Sequence, residues 1–140
     1  MEAPAPASAL IHSATLVSAG IFIILRMAPL FELSILSSTL VPVIGAVTAF
    51  YGGVVSAAQT DVKKILAYST ISHCGFMVLL SATFNLDLVL IYLYVHGFFK
   101  ALLFLAAGSI MRFFKNQDFR YMGGAYKYLP VECIISIFGF

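Results

Sequence analysis

Charged residues are scarce in this sequence of 140 residues, and tryptophan is absent. Asp, Glu, Lys and Arg together make up 10% of the chain, whereas hydrophobic residues make up 61% and the mean hydropathy is +1.01. Soluble domains contain about a quarter charged residues, so this composition excludes an ordinary soluble protein. The net charge of +2 is too small to indicate binding to nucleic acid.

The sequence also lacks the short motifs that mark common cofactor sites. Neither a glycine-rich phosphate-binding loop (GxGxxG, or GxxxxGK followed by Ser or Thr) nor an HExxH zinc motif occurs. The two cysteines, Cys74 and Cys133, lie in apolar segments without CxxC spacing, which indicates free thiols. We therefore predict no metal ligands, no cofactor-binding residues and no redox centre on this chain.

Long uncharged runs predict membrane-spanning helices. Residues 3–25, 33–60 and 65–86 carry no charged side chain, and residues 88–111 carry one. A bilayer core of about 30 Å needs roughly 20 helical residues, and only helices satisfy their backbone groups within a single segment. Residues 1–140 are thus expected to form a single all-α, polytopic transmembrane helix bundle with four full spans and a partial fifth. The expected spans are about 6–28, 37–59, 62–84 and 87–113, followed by the start of a span at 129–140.

Proline and basic residues refine this topology. Pro29 predicts the end of the first helix, because proline disrupts a helix interior. The connections between spans two and three and between spans four and five share one membrane side. Short loops rich in basic residues favour the cytoplasmic or matrix face of the membrane, so we expect the side with these two connections to be that face. It holds Lys63, Lys64, Arg112, Lys115, Arg120 and Lys127, whereas the opposite side holds Arg26 alone.

Lys100 is the main candidate for chemistry, because it lies at the centre of the fourth span. It is residue 13 of the 24 in the run 88–111, so its ammonium lies far from both surfaces. A charged lysine at that depth costs at least about 3 kcal/mol. Such a residue faces protein or water, is paired, or gives up its proton. We favour proton exchange over a lysine that only holds helices together.

Two further side chains share a helix face with Lys100. His96 and Tyr92 precede it by four and eight residues, so the three form a column about 12 Å long. We predict proton transfer for His96 and give a packing role more weight for Tyr92. His12, in the first helix, has Ser8 at i−4 and Thr15 at i+3, and a proton relay and a plain helix contact are equally open for it. His73, with Ser69 at i−4, reads as structural.

Three charged residues cluster at the start of the third helix. Asp61 is placed to cap that helix and to complement its dipole, whereas Lys63 and Lys64 do not complement it. Two interpretations remain equally open. The cluster is either a solvated helix start that sets the topology or the place where protons are taken up from the basic side.

Four segments occur in a characteristic order along the chain. They are residues 3–15 (APAPASALIHSAT), 61–72 (DVKKILAYSTIS), 96–105 (HGFFKALLFL) and 117–124 (QDFRYMGG). Together they resemble the antiporter-like membrane subunits of respiratory complex I, most closely NADH dehydrogenase subunit 5. The resemblance covers nearly the whole chain and its motifs are specific.

The resemblance implies a role in proton translocation driven by electron transfer from NADH to ubiquinone. Lys100 matches the family's central mid-membrane lysine, His96 a histidine of the same axis, and His12 the histidine that bridges toward the preceding half-channel. Asp61 and Lys63 match a polar helix start. The chain would then be an enzyme subunit in the mitochondrial inner membrane, with its basic loops in the matrix. FMN, iron–sulfur clusters and ubiquinone are expected elsewhere in the complex, and other membrane subunits are the expected partners.

The departures from the family pattern are informative. Tyr92 stands where the family often has a second histidine, and His73 stands where glutamine is usual. Family members are several times longer, so we expect this chain to be the central fragment of a split subunit rather than an excerpt, with partner chains carrying the rest. Two other functions remain open. One is a subunit of a cation/proton antiporter, and the other is a structural membrane-arm fragment without its own proton path.

Overall fold

Residues 3–139 are described by the computed structural model, and their regular secondary structure is helical throughout. Each of the four long helices is long and apolar enough to cross a membrane. The predicted all-α class, with four spans and a shorter fifth apolar helix, is confirmed. The five helices are α1 (Ala5–Glu32), α2 (Ile35–Ala58), α3 (Val62–Ser81), α4 (Leu86–Phe114) and α5 (Pro130–Gly139).

Helix α1 departs from regular α-geometry near its start and tolerates a proline near its end. Ser8–Thr15 is π-helical, and such segments are frequent at functional sites. Pro29 lies inside the helix, which continues to Glu32, so the expectation that Pro29 ends the first helix is wrong. The helix continues past Pro29 because this proline lies in its last turn. There it removes only the backbone hydrogen bond to the carbonyl of Leu25, and few residues follow that would be displaced.

Helices α2 and α3 pack closely because glycines line the contact. A Cβ added at Gly52 would lie 2.7 Å from the backbone nitrogen of Ser72, and one added at Gly45 would lie 2.8 Å from that of Leu79. Gly75 of α3 approaches the backbone of α2 in the same way. The hydroxyl of Ser72 also donates a hydrogen bond across the contact to an α2 carbonyl, at 2.8 Å. This backbone-to-backbone packing fixes the position of α3.

Helices α3 and α4 form an antiparallel hairpin. The turn uses Phe84 in a left-handed conformation, with φ of 56°. Two buried apolar clusters hold the hairpin near its two ends, and a polar stretch lies between them along both helices. The first cluster includes Leu66, Leu103, Phe104 and Met111, and the second includes Ile21, Leu25, Met77 and Val89.

The α2–α3 and α4–α5 connections meet at one end of the bundle. The amide of Val62 donates to the carbonyl of Gln117 at 3.1 Å, and the amide of Phe119 donates to the carbonyl of Thr60 at 3.0 Å. The α4–α5 connection contains a 3₁₀ turn, Phe119–Tyr121, and a short helical turn, Ala125–Tyr128. The segments that hold most of the basic residues therefore lie together.

Candidate functional site

Lys100 lies buried between α3 and α4, with 2% of its surface exposed. Its ammonium donates a hydrogen bond to the hydroxyl oxygen of Ser69 at 2.8 Å, and that hydroxyl donates to the carbonyl of Leu66 at 2.9 Å. Among residues 3–139 a single ion pair is present, between Lys64 and Asp61. The buried lysine is therefore held by a hydroxyl rather than by a carboxylate.

His96 lies one helical turn before Lys100 and is equally enclosed, with 4% of its surface exposed. Its ring centroid is 5.2 Å from that of His73 on α3, with an angle of 46° between the rings. Within the described range, Nε2 of His96 is the one buried side-chain nitrogen or oxygen that has no hydrogen-bond partner. An unsatisfied buried polar atom costs about 1–3 kcal/mol, so this nitrogen needs an explanation in terms of function or hydration.

Tyr92 completes the polar surface of α4 and also meets His73. The Tyr92 hydroxyl oxygen lies 2.6 Å from Nδ1 of His73, and the two ring centroids are 6.0 Å apart. His73 thus contacts both Tyr92 and His96, the two residues that precede Lys100 on its helix face. The result is one connected cluster that joins two helices across the middle of the hairpin.

We call these five residues the polar column: Ser69, His73, Tyr92, His96 and Lys100. Each helix contributes residues spaced by four, which places them on one face. Ammonium, imidazole and hydroxyl groups can each pass a proton to a neighbour within hydrogen-bond reach or through one water. Because apolar clusters lie on either side of the column, exchange with bulk water is restricted. This arrangement is suited to proton transfer along the helix axis.

His12 is not part of the polar column. The buried side of its π-helical segment is formed by Ser8, Ala9 and Ser13, so the His12 side chain is exposed on the outer surface. The hydroxyls of its proposed partners bond to backbone carbonyls instead, Ser8 to that of Ala3 and Thr15 to that of Leu10. The structure therefore brings Tyr92, His96 and Lys100 together and leaves His12 apart.

The three charged residues at the start of α3 have different environments. Lys63 is buried, and its ammonium donates to the carbonyl of Ala3 at 3.2 Å. Lys64 is exposed and pairs with Asp61 at 2.8 Å. Asp61 occupies the N-cap position, but its carboxylate makes no capping hydrogen bond. The Lys64 ammonium holds the pKa of Asp61 below its usual value, and hydrogen bonding to Asp61 raises the pKa of the nearby Asp118.

A polar cavity of about 470 Å³ opens beside this helix start. Its walls come from the first residues of α1 and α3, the end of α4 and the following connection. No group of three His, Cys, Asp or Glu residues that could hold a metal ion occurs in the part of the chain described. The charged and amide residues that line the cavity are Asp61, Lys63, Arg112, Lys115, Asn116, Gln117 and Asp118.

Reasoning from the sequence missed Ser69 and His73 as members of the column. The sequence places both on the third span and predicts a structural role for His73. A usable signal exists, because Ser69 and Lys100 are equally far from the turn at Phe84–Asn85, and so are His73 and His96. In an antiparallel helical hairpin, residues equidistant from the turn lie at the same height along the two axes, and those on the facing sides meet. Reflecting the α4 column through that turn would have found both partners.

Comparison with known proteins agrees with this description of the bundle. All of residues 1–140 match the membrane family described as NADH:quinone oxidoreductase/Mrp antiporter. The chain therefore belongs to the NADH:quinone oxidoreductase/Mrp antiporter family. The NADH-ubiquinone oxidoreductase chain 5 of Paramecium tetraurelia is 57% identical over 139 residues, which is 99% of this chain and 24% of the relative.

Other relatives within the family are more distant but align over the same range. The NADH-ubiquinone oxidoreductase chain 5 of Acanthamoeba castellanii is 45% identical, and the NADH-quinone oxidoreductase subunit L of Neisseria meningitidis serogroup B is 44% identical. Both alignments cover 99% of this chain and 21% of the relative. The resemblance to subunit 5 predicted from the sequence is confirmed, and the chain spans less than a quarter of the length of these relatives.

Proposed function

We propose that this chain forms part of the proton-translocating membrane portion of an NADH:quinone oxidoreductase, in which Lys100 is the central proton-carrying residue. The observation that carries the proposal is the burial of the Lys100 ammonium with a single described side-chain partner, the Ser69 hydroxyl. Family membership supports it, because the relatives described above are chains of NADH-ubiquinone and NADH-quinone oxidoreductases.

In the proposed mechanism, Lys100 takes a proton that arrives from the basic end and releases it when the charge of a neighbouring site changes. The Ser69 hydroxyl holds the ammonium in place, and it can accept from a charged lysine or donate to a neutral one. His96 is the next group along α4, about 6 Å away along the helix axis. Its unpaired Nε2 is available to receive or release a proton. Because the dielectric constant around the column is low, a change of charge on one residue strongly alters the electrostatic energy of the neighbouring residues.

Protons are taken up, in this proposal, through the polar cavity at the start of α3. Asp61 and Lys63 line this cavity, and the exposed Lys64 pairs with Asp61 beside it. His12 lies on the outer surface. Its contribution therefore requires a segment beyond this chain to cover it and complete the path toward the preceding half-channel.

The same proposal extends to the partners of the chain, to the cofactors of the complex and to its location. Other membrane subunits of the complex are the proposed partners. FMN, iron–sulfur clusters and ubiquinone are proposed to lie elsewhere in the complex, so this chain contributes to the enzyme without a redox centre. The mitochondrial inner membrane, with the basic loops on the matrix side, is the proposed location.

The test is Lys100→Met in the intact complex, with Lys127→Met as a matched control. Lys127 is exposed in the α4–α5 connection and lies outside the polar column. Membrane vesicles are energised with NADH, and proton translocation is followed with a pH-sensitive dye beside the rate of NADH oxidation. We expect Lys100→Met to lower the ratio of protons translocated to NADH oxidised, and Lys127→Met to leave it unchanged. Equal ratios in wild type and Lys100→Met, with the complex assembled, would contradict the proposal and favour a structural role.

Cation/proton antiport is a second candidate, because the family description includes the Mrp antiporters. An antiporter would exchange sodium or potassium for protons without NADH. Vesicles containing the chain and its native partners, given a sodium or potassium gradient but no NADH, separate the two. Dye-detected proton exchange under those conditions would favour the antiporter.

A further inference from the structure

His73 is the one imidazole of the polar column that comes from α3. It is half-buried, one helical turn after Ser69, and it faces α4 between Tyr92 and His96. The other helices packed along α3 are α2, which contains no Asp, Glu, Lys, Arg or His between residues 35 and 58, and α1, which contains none between residues 13 and 25 and contributes Ile21 and Leu25 to the apolar cluster near the turn. The groups of α4 therefore determine the polar environment of this side chain.

The hydrogen bond to Tyr92 suits an imidazole that changes protonation state. A phenol hydroxyl both donates and accepts, so it can donate to Nδ1 of a neutral His73 or accept from a protonated Nδ1. The contact at 2.6 Å can thus persist in both states of the ring. A backbone carbonyl in the same place could bond only to the N–H form.

The ring of His73 also lies beside that of His96. The two ring centroids are 5.2 Å apart, and Nε2 of His96 is buried without a partner in the range described. When the Tyr92 oxygen accepts from Nδ1–H of His73, the lone pair of His73 Nε2 is free. An adjacent donor within direct reach or one water away can then transfer a proton to it.

We infer that His73 is a second proton-carrying imidazole of the column, which takes a proton from His96 and is oriented by the Tyr92 hydroxyl. In this step an N–H bond of protonated His96 breaks and an N–H bond forms at Nε2 of His73. The positive charge moves from one ring to the other, and neither an oxidant nor a reductant is needed. The inference rests on the proposed proton-translocating function and adds α3 to the path.

The experiment compares His73→Asn with Lys100→Met in the intact, NADH-driven complex. Asparagine keeps a polar atom at the position of Nδ1 for the bond to Tyr92, but it cannot carry a proton. We expect His73→Asn to lower the ratio of protons translocated to NADH oxidised to the value that Lys100→Met gives. An exchange variant, His73→Tyr with Tyr92→His, restores an imidazole and a phenol to the same contact and should recover part of that ratio.

Three outcomes distinguish the inference about His73 from the proposed function of the chain. A wild-type ratio in His73→Asn together with a lowered ratio in Lys100→Met overturns this inference and leaves the proposed function standing. Wild-type ratios in both variants overturn the proposed function itself. If His73→Asn lowers assembly of the complex, the exchange variant decides, because recovered assembly without recovered translocation also contradicts the inference.

Discussion

The adjacent glycines of α2 offer a direct test of how α3 is held. Gly52 faces α3, and a Cβ there would lie 2.7 Å from the amide nitrogen of Ser72 and 2.9 Å from the carbonyl oxygen of Tyr68. Gly53 is one residue further on, and a Cβ there would have one neighbour, the Ser72 hydroxyl oxygen at 3.7 Å. Ordinary van der Waals contact begins at 3.4 Å. Alanine would therefore clash with fixed backbone at Gly52 and make only an ordinary contact at Gly53.

The expected magnitudes follow from this geometry. Overpacking that forces backbone apart costs about 1–3 kcal/mol, so Gly52→Ala should destabilise the α2–α3 pair by that amount. Gly53→Ala should be neutral or stabilising by up to about 1 kcal/mol, because alanine favours the helix more than glycine does. The backbone that Gly52→Ala displaces also carries Ser69. Proton translocation should therefore fall together with stability in that variant alone.

The measurement is the temperature at which NADH-driven proton translocation by the intact complex is half lost, for wild type, Gly52→Ala and Gly53→Ala. We expect a lower temperature for Gly52→Ala and an unchanged or higher one for Gly53→Ala. If both variants match wild type, the close contact between α2 and α3 is not present in the protein. If both variants are equally impaired, backbone flexibility rather than the helix contact explains why glycine is needed at these two positions.

Two further substitutions probe the charged groups. Ser69→Ala removes the side-chain partner of Lys100, a hydrogen bond to a charged group worth about 1.5–3 kcal/mol. In the vesicle assay it should lower the ratio of protons translocated to NADH oxidised, whereas Ser38→Ala, whose hydroxyl bonds within its own helix, should not. Asp61→Asn removes the ion pair with Lys64. Because Lys64 lowers the pKa of Asp61, the stabilisation from this pair is present above the ordinary aspartate pKa and is lost as pH falls through the lowered value. Thermal stability should therefore depend less on pH in Asp61→Asn than in wild type over that acidic range, and an identical dependence would contradict the reasoning.

The position of Lys100 follows from local sequence alone. Four apolar runs, each long enough for a bilayer, require four helices, and a charge in the middle of one run must be buried or hydrated wherever that helix packs. The column with Tyr92 and His96 also follows, because residues four apart share a face in any helix. These properties do not depend on which helices are neighbours.

Packing between helices decided the rest of the site. Ser69 and His73 join the column because the glycine contact with α2 and the Phe84 turn set which face of α3 meets α4. The periodicity of α1 could not tell that His12 lies outside, since the direction of its side chain depends on a π-helical segment and on burial of neighbouring residues. Lys63 and Lys64 are adjacent in sequence, yet one is buried against the start of α1 and the other is exposed. The number of long helices and the central position of Lys100 within its helix follow from the sequence alone, because hydropathy and helical periodicity act within one segment. The partner of Lys100, the Ser69 hydroxyl, is determined only by the tertiary structure, because it lies on another helix.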